Sequence, residues 1–182
     1  MNLVTITIND LSEVDFDDLY ERSKDAIDAN WPSTSIMTDE EKKAGYVAAI
    51  TSGLNNEWPG LNPHGPNDRY VVAKQVDLDT GTELGLVAGF VLPDGIFDGR
   101  HSMSSRDASG SRNWVFSEQF RQARSDWYAS IGATKTLYRN IVADSMHYRH
   151  IKMRAGLHFE IIEDIESPTY GPRFRNVTVE YK

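Results

Sequence analysis

The chain has 182 residues, 40% hydrophobic and 25% charged, with a formal net charge of −8. That length suits one globular domain spanning 1–182, and an acidic chain without a Lys/Arg run does not fit general nucleic-acid binding through phosphate neutralisation. The absence of cysteine excludes disulfides, thiolate catalysis and cysteine-based zinc sites.

The first residues, MNLVTITINDLSEVDFDD, have no basic start and no long apolar run, so they do not read as a signal peptide. No stretch approaches the roughly 20 apolar residues of a membrane span. The expectation is a cytoplasmic product.

Val4, Ile6 and Ile8 alternate with polar residues and predict a first strand. Phe16, Leu19, Tyr20 and Ile27 share a helical face, which predicts a helix over Asp15 to Asn30, ended by Trp31-Pro32. Thr38 to Glu41 has the form of a capping box, and Tyr46, Val47, Ile50 and Leu54 follow on the predicted second helix. The stretch from Asn55 to Asp68 is rich in Pro, Gly and Asn and is long for a connector.

Tyr70 to Leu92 reads as a hairpin around Asp79-Thr80-Gly81-Thr82, and Pro93-Asp94-Gly95 as a further turn. A short strand is expected over Arg100 to Arg106. Ser117 to Ile131 is the clearest helix, with Phe120, Ala123, Trp127, Tyr128 and Ile131 on one face and Gly132 as its stop. Thr134 to Ala143 is strand-like. Asp144-Ser145 caps a short helix bearing Tyr148, Ile151 and Ala155 and ended by Gly156. Phe159, Ile161 and Ile165 then alternate as a strand, and Val177, Val179 and Tyr181 form one face of the last. The order is β-α-α-β-β-(β)-α-β-α-β-β, a mixed α/β sheet with helices packed on it.

This order, with Gly156 to Phe159 placed after the short helix and before a strand, resembles the GNAT superfamily of acyl-CoA-dependent N-acetyltransferases over nearly the whole chain. The resemblance implies a three-layer fold with a central mixed, mostly antiparallel, twisted sheet flanked by helices. It implies acetyl-CoA as cofactor and a small-molecule or protein amine as acceptor.

The family holds the cofactor pyrophosphate on a Q/R-x-x-G-x-G/A loop that leads into a helix, where free N–H groups and close backbone approach favour an anion. The stretch matching it here is Asp107-Ala-Ser-Gly110-Ser-Arg112. It keeps the first glycine, with Asp107 in the leading position and Arg112 in the last. Two readings stand: Gly110, Ser111 and Arg112 bind an anion, or the loop only feeds a helix. The family's frequent asparagine at the start of the last helix corresponds to Ser145, a further expected cofactor contact.

The family's general acid to the leaving thiolate is a tyrosine four residues before the Gly-Phe pair. That position is Lys152, and Tyr148 lies one turn earlier as the candidate acid. Candidates for the catalytic base are Glu118, which equally suits a helix N-terminus, and His101, which equally suits a surface position.

Asp144, His147 and His150 have a spacing that permits metal binding, but surface histidines are the better reading and no metal site is assigned. Asp77-x-Asp79 before Thr80-Gly81 reads as a hairpin turn rather than a calcium loop. Trp58, His64 and Trp114 are expected to pack into the core or an interface, because large aromatics usually bury. Two functions follow: an N-acetyltransferase with degenerate motifs, or a GNAT-like binding or assembly protein with protein partners. Some short-tailed bacteriophages carry such proteins in the virion.

Overall fold

A computed structural model describes residues 1–30, 36–57 and 68–182. Seven strands form one sheet: β1 (Leu3–Ile8), β2 (Arg69–Asp77), β3 (Thr82–Val91), β4 (Ile96–Ser104), β5 (Lys135–Val142), β6 (Phe159–Ser167) and β7 (Gly171–Tyr181). Their spatial order is β1-β2-β3-β4-β5-β7-β6. Every neighbouring pair is antiparallel except β4 with β5. The mixed, mostly antiparallel sheet expected from the sequence is therefore present.

Helices α1 (Phe16–Asn30) and α2 (Asp39–Leu54) cover one face of the sheet, and α3 (Glu118–Ile131) covers the other. The alternation of strand side chains fixes this. Val72, Leu86, Ala88 and Met103 meet Leu19, Tyr20, Ile27 and Ile50 on the first face. Val71, Ala73, Val87 and Phe97 meet Trp127, Tyr128 and Ile131 on the second. The last helix, α4 (Met146–Arg154), packs Ile151 against Ile141, Phe159, Val177 and Val179.

The helix starts follow the sequence signals. Thr38 Oγ1 accepts from the Glu41 N–H at 3.2 Å while Glu41 Oε2 accepts from the Thr38 N–H at 2.8 Å, the reciprocal pair of a capping box. Ser117 and Ser145 cap α3 and α4 by accepting from Phe120 and Tyr148 N–H, each at 3.1 Å. Gly132 ends α3 in the left-handed region at φ 77°.

Two expectations change and one holds. The strand expected over Arg100 to Arg106 runs from Ile96 to Ser104. Asp98 disguised its start, because this carboxylate is fully buried in the strand and interrupts the apolar pattern. Ile165 does not share the inward face of Phe159 and Ile161: the register of β6 slips between Ile161 and Glu163, and Ile165 is left exposed. Trp114 is buried, as expected of a large aromatic, and its Nε1 donates to the Ser105 carbonyl at 3.0 Å. The expectations for Trp31-Pro32, Trp58 and His64 lie outside the described residues.

The parallel pair is short. β4 and β5 pair only from Ile96–Lys135 to Gly99–Tyr138, although β4 continues to Ser104 and β5 to Val142. Both strands break register at this point. Ala88 opposes His101 and Gly89 opposes Gly99, so Arg100 is an extra residue on β4. On β5 the register with β7 shifts between Tyr138 and Ile141, and Asn140 takes φ 52°. Asparagine tolerates that conformation better than most residues, and its N–H donates to Asn176 Oδ1 at 2.9 Å. Two bulges beside one another bend the strands apart and open the sheet.

Candidate functional site

The opening between β4 and β5 holds a cavity of about 400 Å³. Its strand walls are Gly99 to Ser104 of β4 and Tyr138, Arg139 and Ile141 of β5. Ala26, Ile27, Lys42 and Tyr46 close it on the α1–α2 face, and Arg124, Tyr128, His147 and Arg154 line it on the α3–α4 face. The cavity thus passes through the plane of the sheet.

Its charge is opposite to that of the chain. Lys42, Arg100, Arg124, Arg139 and Arg154 all line it, and no Asp or Glu does so among the described residues. Three of these cations meet a carboxylate behind the wall. Lys42 pairs with Asp28, and Arg100 and Arg139 pair with the buried Asp98 at 3.1 and 2.8 Å. A cationic concave wall on an acidic protein attracts anions and repels polycations.

His101 stands on β4 one residue beyond the bulge. Its ring meets Tyr46 edge-on at 5.6 Å, and Nδ1 has no hydrogen-bond partner among the described residues. Burial, reinforced by the Arg100 guanidinium, lowers its pKa to about 4, so the imidazole is neutral at pH 7 and able to accept a proton. On α4, His147 faces the same cavity with its pKa lowered to about 4 by burial and by Arg154. The surface position expected for His147 and His150 is corrected: both line the cavity, because the inward stripe of α4 carries His147, His150, Ile151 and Arg154 at helical spacing.

Of the seven residues singled out from the sequence, His101 alone lines the cavity. Glu118 lies in the first turn of α3, paired with Arg121, which holds its carboxyl below the usual range. Tyr148 turns to β6, where its hydroxyl donates to Asp164 Oδ2 at 2.7 Å alongside Lys152 at 2.6 Å. Ser145 is buried, and its Oγ is occupied by the helix cap.

Gly110, Ser111 and Arg112 lie together in the loop after β4, with Gly110 at φ 79°. The loop is folded around its own carboxylate. Asp107 Oδ1 accepts from Ser109 Oγ at 2.6 Å, Ser109 N–H at 2.9 Å and Ser111 N–H at 3.0 Å. Arg112 is drawn onto α1, where it pairs with Asp25 and donates to the Arg22 carbonyl at 3.1 Å. A short 3-10 turn, Asn113–Phe116, separates this loop from α3.

The residues that sequence reasoning missed are Arg124, Arg154 and Tyr138. Arg124 interrupts the apolar stripe between Phe120 and Tyr128, and Arg154 continues the stripe of Ile151. A charged residue on the buried face of an amphipathic helix was the available signal.

No protein-family model and no curated protein sequence matches the chain. Solved structures match it along nearly its whole length. The aminoglycoside acetyltransferase AAC(6')-Ib, solved with paromomycin and acetyl-CoA, superposes with a TM-score of 0.59 at 14% identity, covering 97% of this chain and 93% of that one. The ribosomal-protein-S5-alanine acetyltransferase from Vibrio fischeri gives 0.54 at 13% identity, covering 98% and 92%. A GCN5-related N-acetyltransferase from Kribbella flavida gives 0.51 at 20% identity, covering 98% and 96%. The fold is that of the GNAT acetyltransferases. At these identities the likeness is one of fold, and the site must be argued from this chain's own residues. None of these GNAT-fold neighbours is a phage or virion protein, so the assembly reading gains nothing from them.

Proposed function

We propose that this protein is a divergent GNAT-fold N-acyltransferase that takes an acyl group from acetyl-CoA or a related acyl-CoA and passes it to an amine. The observation that carries this reading is the separation of β4 from β5 beyond Gly99 and Tyr138, with a cationic cavity between them. Such an opening admits a long anionic cofactor, and the AAC(6')-Ib neighbour was solved with acetyl-CoA. The cavity fits that group in shape and charge. The loop at 107–112 fits it in part, since Gly110, Ser111 and Arg112 would meet the phosphates only when Asp107 and Asp25 give up their hydrogen bonds. Ser145, at the start of α4, would reach the same cofactor only after its Oγ releases the Tyr148 N–H that it caps.

When bound, the cofactor supplies a thioester carbonyl that an amine can attack. His101 is the side chain we assign as base: Nδ1 takes the proton that the amine sheds as its N–C bond forms. A cavity phenol or solvent would supply the proton that the leaving sulfur needs. Among the described residues, four phenols line the cavity, Tyr46, Tyr128, Tyr138 and Tyr181. Burial raises the pKa values of Tyr138 and Tyr128, Tyr128 to about 12. They are therefore protonated at neutral pH. Tyr148 could serve only after leaving Asp164, and Glu118 only after leaving Arg121.

A second reading is a GNAT-fold protein that binds its ligand without transfer. Two observations favour it: Asp107 fills the loop, and Tyr148 faces away from the cavity. Calorimetric titration with acetyl-CoA tests both. Saturation at 100 times Kd adds about 2.7 kcal/mol of stability. No binding at millimolar acetyl-CoA overturns the first reading, and binding without acyl transfer to any of a panel of amines favours the second.

A further inference from the structure

Arg124 and Arg154 differ from the other cations of the cavity. Each is less than one-tenth exposed, and neither meets a carboxylate among the described residues. Their guanidinium carbons lie 5.3 and 4.9 Å from the centre of the Phe120 ring, so one aromatic side chain joins them. Arg124 also stacks on Trp127 and Tyr128, and Arg154 on Phe159.

Their protein hydrogen bonds go to neutral acceptors. Arg154 Nε donates to His158 Nδ1 at 3.1 Å and Nη2 to the Tyr181 hydroxyl at 2.6 Å. Gln75, with its amide oxygen turned toward Arg124, accepts from Nη2 at 3.2 Å and Nε at 3.3 Å. Nη1 of neither arginine donates to a described residue. Two buried positive charges with no counter-ion are costly to hold in a fold, and removing water from a charge is offset only by a close anion or a full set of hydrogen bonds. Retaining them on a cavity wall is explained when the anion comes from a ligand.

We propose that Arg124 and Arg154 form a carboxylate-binding subsite at the α3–α4 side of the cavity, so that the acyl transfer uses a carboxylate-bearing reactant. The carboxylate belongs either to the free end of a dicarboxylic acyl group on the donor or to an amino acid serving as acceptor. The cofactor's own diphosphate is a poorer occupant: it is larger and more strongly hydrated, and this wall is aromatic, built of Phe120, Tyr128 and Tyr181. The inference rests on the acyltransferase reading but is tested separately from it.

Calorimetry on the intact protein with acetyl-CoA and succinyl-CoA probes the donor, and glycine against glycinamide in saturating acetyl-CoA probes the acceptor. The expected result is a preference of at least about tenfold for the carboxylate in one of the two comparisons. Arg124→Met and Arg154→Met should erase that preference, weakening binding of the carboxylate-bearing reactant at least about tenfold more than binding of acetyl-CoA. Arg124 hydrogen-bonds to one side chain and Arg154 to two, so the Arg124 variant carries the test if Arg154→Met does not fold. No preference in either comparison overturns the proposal. So does an equal loss of acetyl-CoA and succinyl-CoA binding in the variants, which would assign the guanidiniums to the cofactor phosphates. If neither CoA ester binds, the acyltransferase reading fails, and a thermal shift with free succinate decides the subsite alone. A shift lost in the arginine variants sustains the subsite, and no shift in the wild type removes it.

Discussion

The carboxylate of Asp107 accepts the backbone N–H of Ser111 at 3.0 Å, closing the loop after β4 upon itself. Hydrogen bonds from Ser109 and then Ser111 hold the Asp107 carboxyl below its usual range, so it is ionised at any working pH. A loop that offers N–H groups to a phosphate here offers them to its own side chain. Asp107→Ala should therefore raise acetyl-CoA affinity severalfold in calorimetry, by freeing the N–H groups and removing a negative charge. Asp107→Asn, which still accepts hydrogen bonds, should give a smaller gain. Unchanged affinity in both would mean that the phosphates bind away from Gly110, Ser111 and Arg112.

His101 carries the chemistry in the proposed transfer. Loss of a general base typically costs about 10²–10⁴-fold in rate. His101→Gln keeps a polar side chain of similar reach but cannot take up the proton, so kcat should fall within that range while acetyl-CoA affinity holds. A variant with wild-type turnover would remove His101 from the mechanism. A carboxylate bound beside Arg124 and Arg154 would offset the Arg154 charge that, after burial, helps keep His147 neutral, making His147 easier to protonate with substrate present.

The same histidines set an acid limit on stability. His101 and His147 titrate near pH 4 in the folded protein and near 6.5 when exposed. Between those values the unfolded chain binds more protons than the folded one, so stability rises with pH across that window. The contribution is complete above about pH 6.5 and is lost as pH falls toward 4. Thermal unfolding from pH 7 to 4.5 should show a falling Tm, and the double variant His101→Gln, His147→Gln should flatten that fall. An equally steep fall in the double variant would place the acid sensitivity in other groups.

The sequence displayed the fold more fully than the site because the two rest on different physics. Helix α3 was legible from the spacing of Phe120, Trp127 and Ile131 and from Gly132, all of which are local signals. The buried Asp98 hid the start of β4, because its partners Arg100 and Arg139 come from a bulge and from a neighbouring strand. The cavity depends on where two strands cease to pair, and no local pattern encodes a separation between residues 99 and 138. Tyr148 stood one turn from the family position, yet Asp164 and Arg175 on the neighbouring strands decide its direction. His101 could be named as a candidate base from its place on the strand expected before the loop at 107–112. Arg124 and Arg154 belong to no motif, and their only local signal is a charge on the buried face of a helix.

The opening of the sheet can be tested through two glycines on facing strands. Gly89 opposes Gly99 at the β4 bulge, and a Cβ on Gly89 would lie 2.2 Å from the Asp98 carbonyl oxygen and 2.9 Å from the Phe97 ring. Neither atom belongs to a flexible side-chain end, so Gly89→Ala must displace β4 and should cost roughly 1–3 kcal/mol in urea unfolding. At Gly99 the nearest atoms to a Cβ are the Phe97 ring at 3.6 Å and the Leu137 carbonyl at 3.7 Å, ordinary contact distances. Gly99→Ala should leave stability nearly unchanged while adding a methyl group to the residue where β4 and β5 part. If the cavity is the ligand site, Gly99→Ala weakens acetyl-CoA binding without a matching change in urea midpoint. Unaltered binding in a stable Gly99→Ala protein would move the ligand away from this junction, because the methyl group occupies the narrow end of the opening that the two bulges create.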